Sequence, residues 1–83
     1  MSHQVTMYSR ETCGLCDAAR AVILAVHAAT PFEFEEVFID AEAALEEEYG
    51  LRVPVVLVDG TERFEVEVRE EELLSLVTTP PGA

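Results

Sequence analysis

The chain has 83 residues, 17 of them acidic and five basic, every basic one an arginine, for a formal net charge of −12. That length supports one small core and a single domain, while the charge would repel phosphate backbones and anionic headgroups within a Debye length, which sets nucleic acid and anionic membranes aside as partners. No run of about 18 apolar residues is present to span a membrane and no basic-plus-apolar leader is visible, so a soluble cytoplasmic protein is expected.

Residues 5–8 are rich in β-formers and read as a first strand, broken by the polar Ser9-Arg10-Glu11-Thr12. Cys13-Gly14-Leu15-Cys16 follows, the one place where two reactive side chains stand at a fixed spacing. A bridge this short would restrain the unfolded chain little, so the pair is read as chemistry rather than as a staple. Residues 15–29 are Ala-rich and free of Gly and Pro, which predicts a helix that Pro31 ends by about Thr30. Ala19, Val22, Ile23 and Val26 recur at helical spacing, leaving Asp17, Arg20 and His27 to face outward. A cysteine in the first turn meets unpaired backbone N–H groups and the positive end of the helix dipole. Both favour the thiolate, the form that attacks a disulfide. Cys16, one turn deeper on the same side, can displace a bound partner by closing a Cys13–Cys16 bond.

Residues 34–39 form a second strand whose Glu35 and Glu36 suit an edge. Asp40 is placed to cap the next helix, in which Leu45 and Tyr49 make an i, i+4 apolar pair, residues 46–48 are acidic and solvent-facing, and Gly50 is the stop. Residues 53–58, the most apolar run, read as a central strand with Pro54 at its start. Asp59-Gly60 predicts a hairpin turn, after which Phe64, Val66 and Val68 alternate with Glu65 and Glu67 as a strand with one buried face. Residues 69–77 give a last amphipathic helix with an acidic first turn and Leu73, Leu76 and Val77 on its core side, and residues 78–83 are expected to be a flexible tail.

The order β-α-β-α-β-β-α makes the first two strands parallel and the last two an antiparallel hairpin. The expected architecture is α/β, a four-stranded mixed sheet flanked by helices, in one domain over residues 1–83 with an ordered core at about 4–77. Zinc takes four ligands, and the chain has two cysteines and two histidines. His27 lies about 16 Å beyond Cys16 along a straight helix, and His3 starts the strand whose far end delivers Cys13. No metal site within one chain is expected; a metal or iron–sulfur cluster shared by two chains is an alternative.

With C-G-L-C after the first strand and R-V-P before the third, the chain resembles the thioredoxin superfamily, and within it small bacterial glutaredoxin-like proteins. Residues 8–17 and 49–55 carry the likeness, and the element order extends it over residues 5–77. The resemblance implies a thioredoxin-like (glutaredoxin-type) fold and a thiol–disulfide oxidoreductase in which Cys13 is the nucleophile, Cys16 the resolving thiol and Pro54 a cis-proline opposite the pair. It implies that the Val53 backbone pairs with an extended substrate, and that Arg10 stabilises the Cys13 thiolate or holds a substrate carboxylate. Arg52, adjoining Val53-Pro54, is a further candidate substrate contact. A disulfide-containing protein or a small-molecule thiol is the expected partner of a monomer with no bound cofactor, glutathione being a candidate co-substrate. Where glutaredoxins carry a glutathione-binding Gly-Gly and acidic pair, residues 66–71 here read Val-Glu-Val-Arg-Glu-Glu. An adaptor without redox activity is the remaining alternative.

Overall fold

The computed structural model describes residues 3–80. Along it run β1 (Gln4–Ser9), α1 (Gly14–Ala29), β2 (Glu33–Phe38), α2 (Ala43–Tyr49), β3 (Val55–Val58), β4 (Thr61–Glu65) and α3 (Glu70–Thr78), the predicted order. They form one four-stranded sheet in the order β2-β1-β3-β4. β1 is parallel to β2 and antiparallel to β3, and β3 and β4 are antiparallel. No helix among the described residues is long and apolar enough to cross a membrane.

Strand alternation decides which side of the sheet holds the core. Val5 and Met7 of β1, Val56 and Val58 of β3 and Phe64 of β4 are buried on one face, packed on Ala19, Ile23 and Val26 of α1 and Leu73 and Val77 of α3. Tyr8, pointing the other way, is half-buried and stacks on Tyr49 of α2 with ring centroids 4.3 Å apart. α2 therefore covers the opposite face, although none of its side chains is fully buried. The edge position of β2 is what its glutamates predict, and Glu36 is better satisfied than an edge requires. It accepts from Arg20 at 2.7 and 2.5 Å and from the buried Ser9 hydroxyl at 2.7 Å, and the Arg20 guanidinium first, then Ser9, holds its carboxyl below the usual range.

The structure departs from the sequence reading at several points. β3 begins at Val55 rather than at residue 53, because Pro54, a proline without an N–H, stands ahead of the ladder. Asp40 does not cap α2, whose N-cap is Glu42 without a side-chain bond; it accepts the Glu11 N–H at 2.9 Å and so ties the loop after β1 to the end of β2. Gly50 does end α2, but in a right-handed conformation with φ −53° rather than the left-handed one that usually selects glycine there. β4 stops at Glu65. Val56 pairs with Phe64 but Leu57 with Glu62, which makes Arg63 an extra, bulged residue, and Val66 then turns away at φ 71°, 43% exposed. Of the three apolar residues expected on its buried face, Phe64 and Val68 are buried and Val66 is not. The Asp59-Gly60 turn is as foreseen, with φ 52° and 83°. Of the expected tail, Thr78 is helical and the Thr79 carbonyl accepts from the His3 ring, while residues 81–83 lie outside the described ones.

Candidate active site

The loop after β1 ends at Cys13, which is the N-cap of α1: its φ of −153° is extended, and its carbonyl accepts the first helical bond, from Asp17 at 3.0 Å. At an N-cap the side chain faces the free N–H groups of the first turn. Here Cys13 Sγ accepts the N–H of Cys16 at 3.0 Å, the place a serine or aspartate oxygen usually fills. The two cysteines are joined as a disulfide with Cα atoms 5.2 Å apart. Cys13 is half-buried and Cys16 fully buried, so a partner can approach only the first sulfur. Gly14 faces open space, with nothing within 4 Å of where a Cβ would stand.

Strand directions bring the rest of the site to the same end of the sheet. β1 exits there toward Cys13; β3, antiparallel, enters there from Val53-Pro54, whose peptide bond is cis; and β4 exits there into Val66. Val53 is half-buried and Pro54 buried. The Val66 N–H donates to the Pro54 carbonyl at 2.8 Å and to the Arg52 carbonyl at 3.2 Å, and the Glu67 N–H closes back on the Glu65 carbonyl at 2.8 Å. The result is a γ-turn centred on Val66, in a region that costs a β-branched residue about 1–2 kcal/mol. Between α1 and this turn lies a groove of about 410 Å³ lined by Leu15, Ala18, Val22, Val66, Glu67 and Val68, with Ala19 at its base.

The two arginines of the candidate site face other partners. Arg10 grips the Glu46 carboxylate of α2 through two nitrogens, one at 2.7 Å, and reaches the Gly50 carbonyl at 3.0 Å, with Asp40 3.8 Å away. Arg52 pairs with Glu62 and, at 3.4 Å, with Glu65, bonds the Glu48 carbonyl at 3.1 Å and lies over the Tyr49 ring. Every described hydrogen bond of Arg10 thus joins the loop ahead of Cys13 to α2, and none goes to a sulfur. Among the described residues no cluster of three or more His, Cys, Asp or Glu is arranged to hold a metal.

Two features were not foreseen. The Arg10–Glu46 clamp joins residues 36 apart whose spacing carries no local signal. Val66 carries a residue type that signals strand rather than turn, so nothing in the sequence marks it. At the far end of the sheet, His3 is buried and bonded on both ring nitrogens, by Asp59 and by the Thr79 carbonyl.

The sequence profile of the Glutaredoxin-like domain (DUF836) family matches residues 4–78. Among solved structures, the X-ray structure of a structural-genomics target protein from X. campestris is 35% identical and covers 93% of this chain and 99% of that one, with a TM-score of 0.76. A solution structure of a protein from Nitrosomonas europaea overlays with a TM-score of 0.80 at 24% identity, covering 93% of each chain. A mutant thioredoxin from Halobacterium salinarum overlays at 0.65 and 25% identity, covering 94% of this chain and 74% of that one. No curated protein matches the sequence. The overlays show the thioredoxin-like fold that the resemblance implied.

Proposed function

The chain belongs to the Glutaredoxin-like domain (DUF836) family, and on that premise we propose that it is a thiol–disulfide oxidoreductase reducing protein or small-molecule disulfides through Cys13 and Cys16. The observation that carries the reading is the N–H of Cys16 aimed at Cys13 Sγ at the head of α1. In the dithiol state the same donor and the helix dipole stabilise negative charge on that sulfur, which makes Cys13 the nucleophile.

The Cys13 thiolate attacks one sulfur of the substrate disulfide; the S–S bond breaks and the leaving thiolate takes a proton from water. Cys16 then loses its proton and attacks Cys13 Sγ, the mixed disulfide breaks, and the second substrate thiol departs. Two electrons have moved to the substrate, and the protein is left in its Cys13–Cys16 disulfide form. Two external thiols or one dithiol restore it, glutathione being one such thiol. Val53, before the cis-Pro54 and at the same sheet end, supplies backbone groups for an extended substrate, and Arg52 borders that segment.

The test is reduction of a disulfide peptide by wild type, Cys13→Ser and Cys16→Ser. Cys13→Ser should be inactive and Cys16→Ser should accumulate a mixed disulfide visible as added mass. Equal activity of wild type and Cys13→Ser would sink the reading.

A further inference from the structure

We propose that the substrate of this site is a positively charged, extended polypeptide that seats an apolar side chain, flanking its own cysteine, in the groove beside the Cys13–Cys16 pair, and that anionic disulfides are poor substrates. The inference rests on the oxidoreductase reading above and adds the substrate class.

The groove is apolar where apolar surface has no folding role. Leu15 lies between the two cysteines and is 55% exposed, and Val66 on the facing wall is 43% exposed. Small side chains at Ala18 and Ala19 leave the volume between them open. Val66 is held in its left-handed turn by three backbone hydrogen bonds, two from its own N–H and one across it. A glycine would adopt that conformation freely. A strained residue that keeps an exposed apolar side chain beside a reactive disulfide points to a contact made by that side chain. Because the Val66 N–H is bonded to the carbonyls of Arg52 and Pro54, the wall is continuous with the backbone around Val53. An extended chain laid along Val53 and bonded to Cys13 therefore runs past the groove.

Charge selects among extended chains. Glu67 sits on the rim, and the groove continues into a more open trough of about 610 Å³ lined by residues 67–72, where Glu70 and Glu71 make no ion pair among the described residues. Every arginine at this end is matched: Arg10 by Glu46, Arg20 by Glu36 and Asp17, Arg52 by Glu62 and Glu65, Arg69 by Glu72. Arg63, without an ion pair among the described residues, lines a different cleft with His3 and Thr79. No free guanidinium near the groove is left to receive a substrate carboxylate, while unpaired carboxylates await a lysine or arginine. A field of this sign speeds encounter with cations and slows it with anions.

The test is stopped-flow reduction, by the full reduced protein, of two synthetic disulfide-linked peptides with leucine beside the cysteine. One carries lysines and the other glutamates in matching positions; bis(2-hydroxyethyl) disulfide and oxidised glutathione complete the set. At low salt the lysine peptide should react at least about tenfold faster than the glutamate peptide and than oxidised glutathione, and the ratio should shrink toward unity in about 1 M salt. Serine in place of leucine in the lysine peptide should raise KM with kcat little changed, and Glu67→Lys should cut the charge preference severalfold. Equal rates for the two peptides at low salt, or faster turnover of oxidised glutathione, overturns the inference and leaves the oxidoreductase reading standing. Failure to reduce even the neutral hydroxyethyl disulfide overturns that reading itself.

Discussion

Arg10 stands three residues before Cys13, yet its guanidinium closes on the Glu46 carboxylate of α2 and on the Gly50 carbonyl. Its charge is met before it can act on a sulfur. In the reduced protein, Arg10→Ala should therefore change the iodoacetamide reaction rate of Cys13 by less than about twofold. It should lower Tm modestly, since the pair is partly solvent-screened. A tenfold loss of thiol reactivity would return Arg10 to the site.

Gly50 is needed for space rather than for backbone freedom. A Cβ there would stand 2.4 Å from the Glu46 carbonyl oxygen and 2.9 Å from the Arg10 guanidinium. Backbone has to shift to admit it, so Gly50→Ala should lose about 1–3 kcal/mol. Urea unfolding measures this, and an unchanged midpoint would show that the junction between α2 and the loop of Arg10 yields easily.

His3 donates from both ring nitrogens to acceptors, the Asp59 carboxylate and the Thr79 carbonyl, which requires the imidazolium form. The Asp59 bond above all, and the Thr79 carbonyl next, raise the His3 pKa, and the Gln4 N–H and His3 lower that of Asp59. A raised histidine adds stability that is complete below the unfolded value of about 6.5 and fades as pH climbs through the folded value; a depressed aspartate adds stability above about 3.9 that fades as pH falls through the folded value. The linkage should therefore be strongest at about pH 4–6.5 and decline on the alkaline side. Tm measured from pH 6 to 9 should fall in wild type and fall less in His3→Gln; parallel curves would exclude the linkage.

Val66→Gly should leave stability unchanged or raise it by up to about 1 kcal/mol, because relief of about 1–2 kcal/mol of left-handed strain outweighs the added freedom of glycine in the unfolded chain. Denaturant midpoints decide it. A loss above about 1 kcal/mol would mean that the exposed valine packs more tightly than its surface shows.

Local chemistry made most of the fold readable. The Ala-rich run closed by Pro31, the apolar run from 53 to 58, of which Val55–Val58 form β3, and the Asp59-Gly60 turn each specify their element within a few residues. The cysteine pair was readable for the same reason, because a helix start and a C-x-x-C spacing coincide. What escaped depends on contacts distant in sequence or on backbone under tension. The partner of Arg10 lies 36 residues away, and His3 bonds residues 56 and 76 positions on. Val66 fills a turn with a residue that prefers strands, so the alternation of Phe64, Val66 and Val68 counted one residue too many on the buried side. Asp40 looked like a cap because a helix follows it, but the Glu11 N–H claimed its carboxylate first.

Both free margins of the sheet carry charge. On β2 the outward Glu33 and Glu35 are exposed, and β4 shows Glu62, Arg63 and Glu65 around its bulge. A margin of this kind is a poor template for a further strand, because a second copy docking edge to edge would bring carboxylate rows together. Charge along these margins opposes the addition of a second copy to the sheet. That opposition is ionic, so salt screens it, and concentrated salt is the condition under which edge-to-edge association of this chain would first appear.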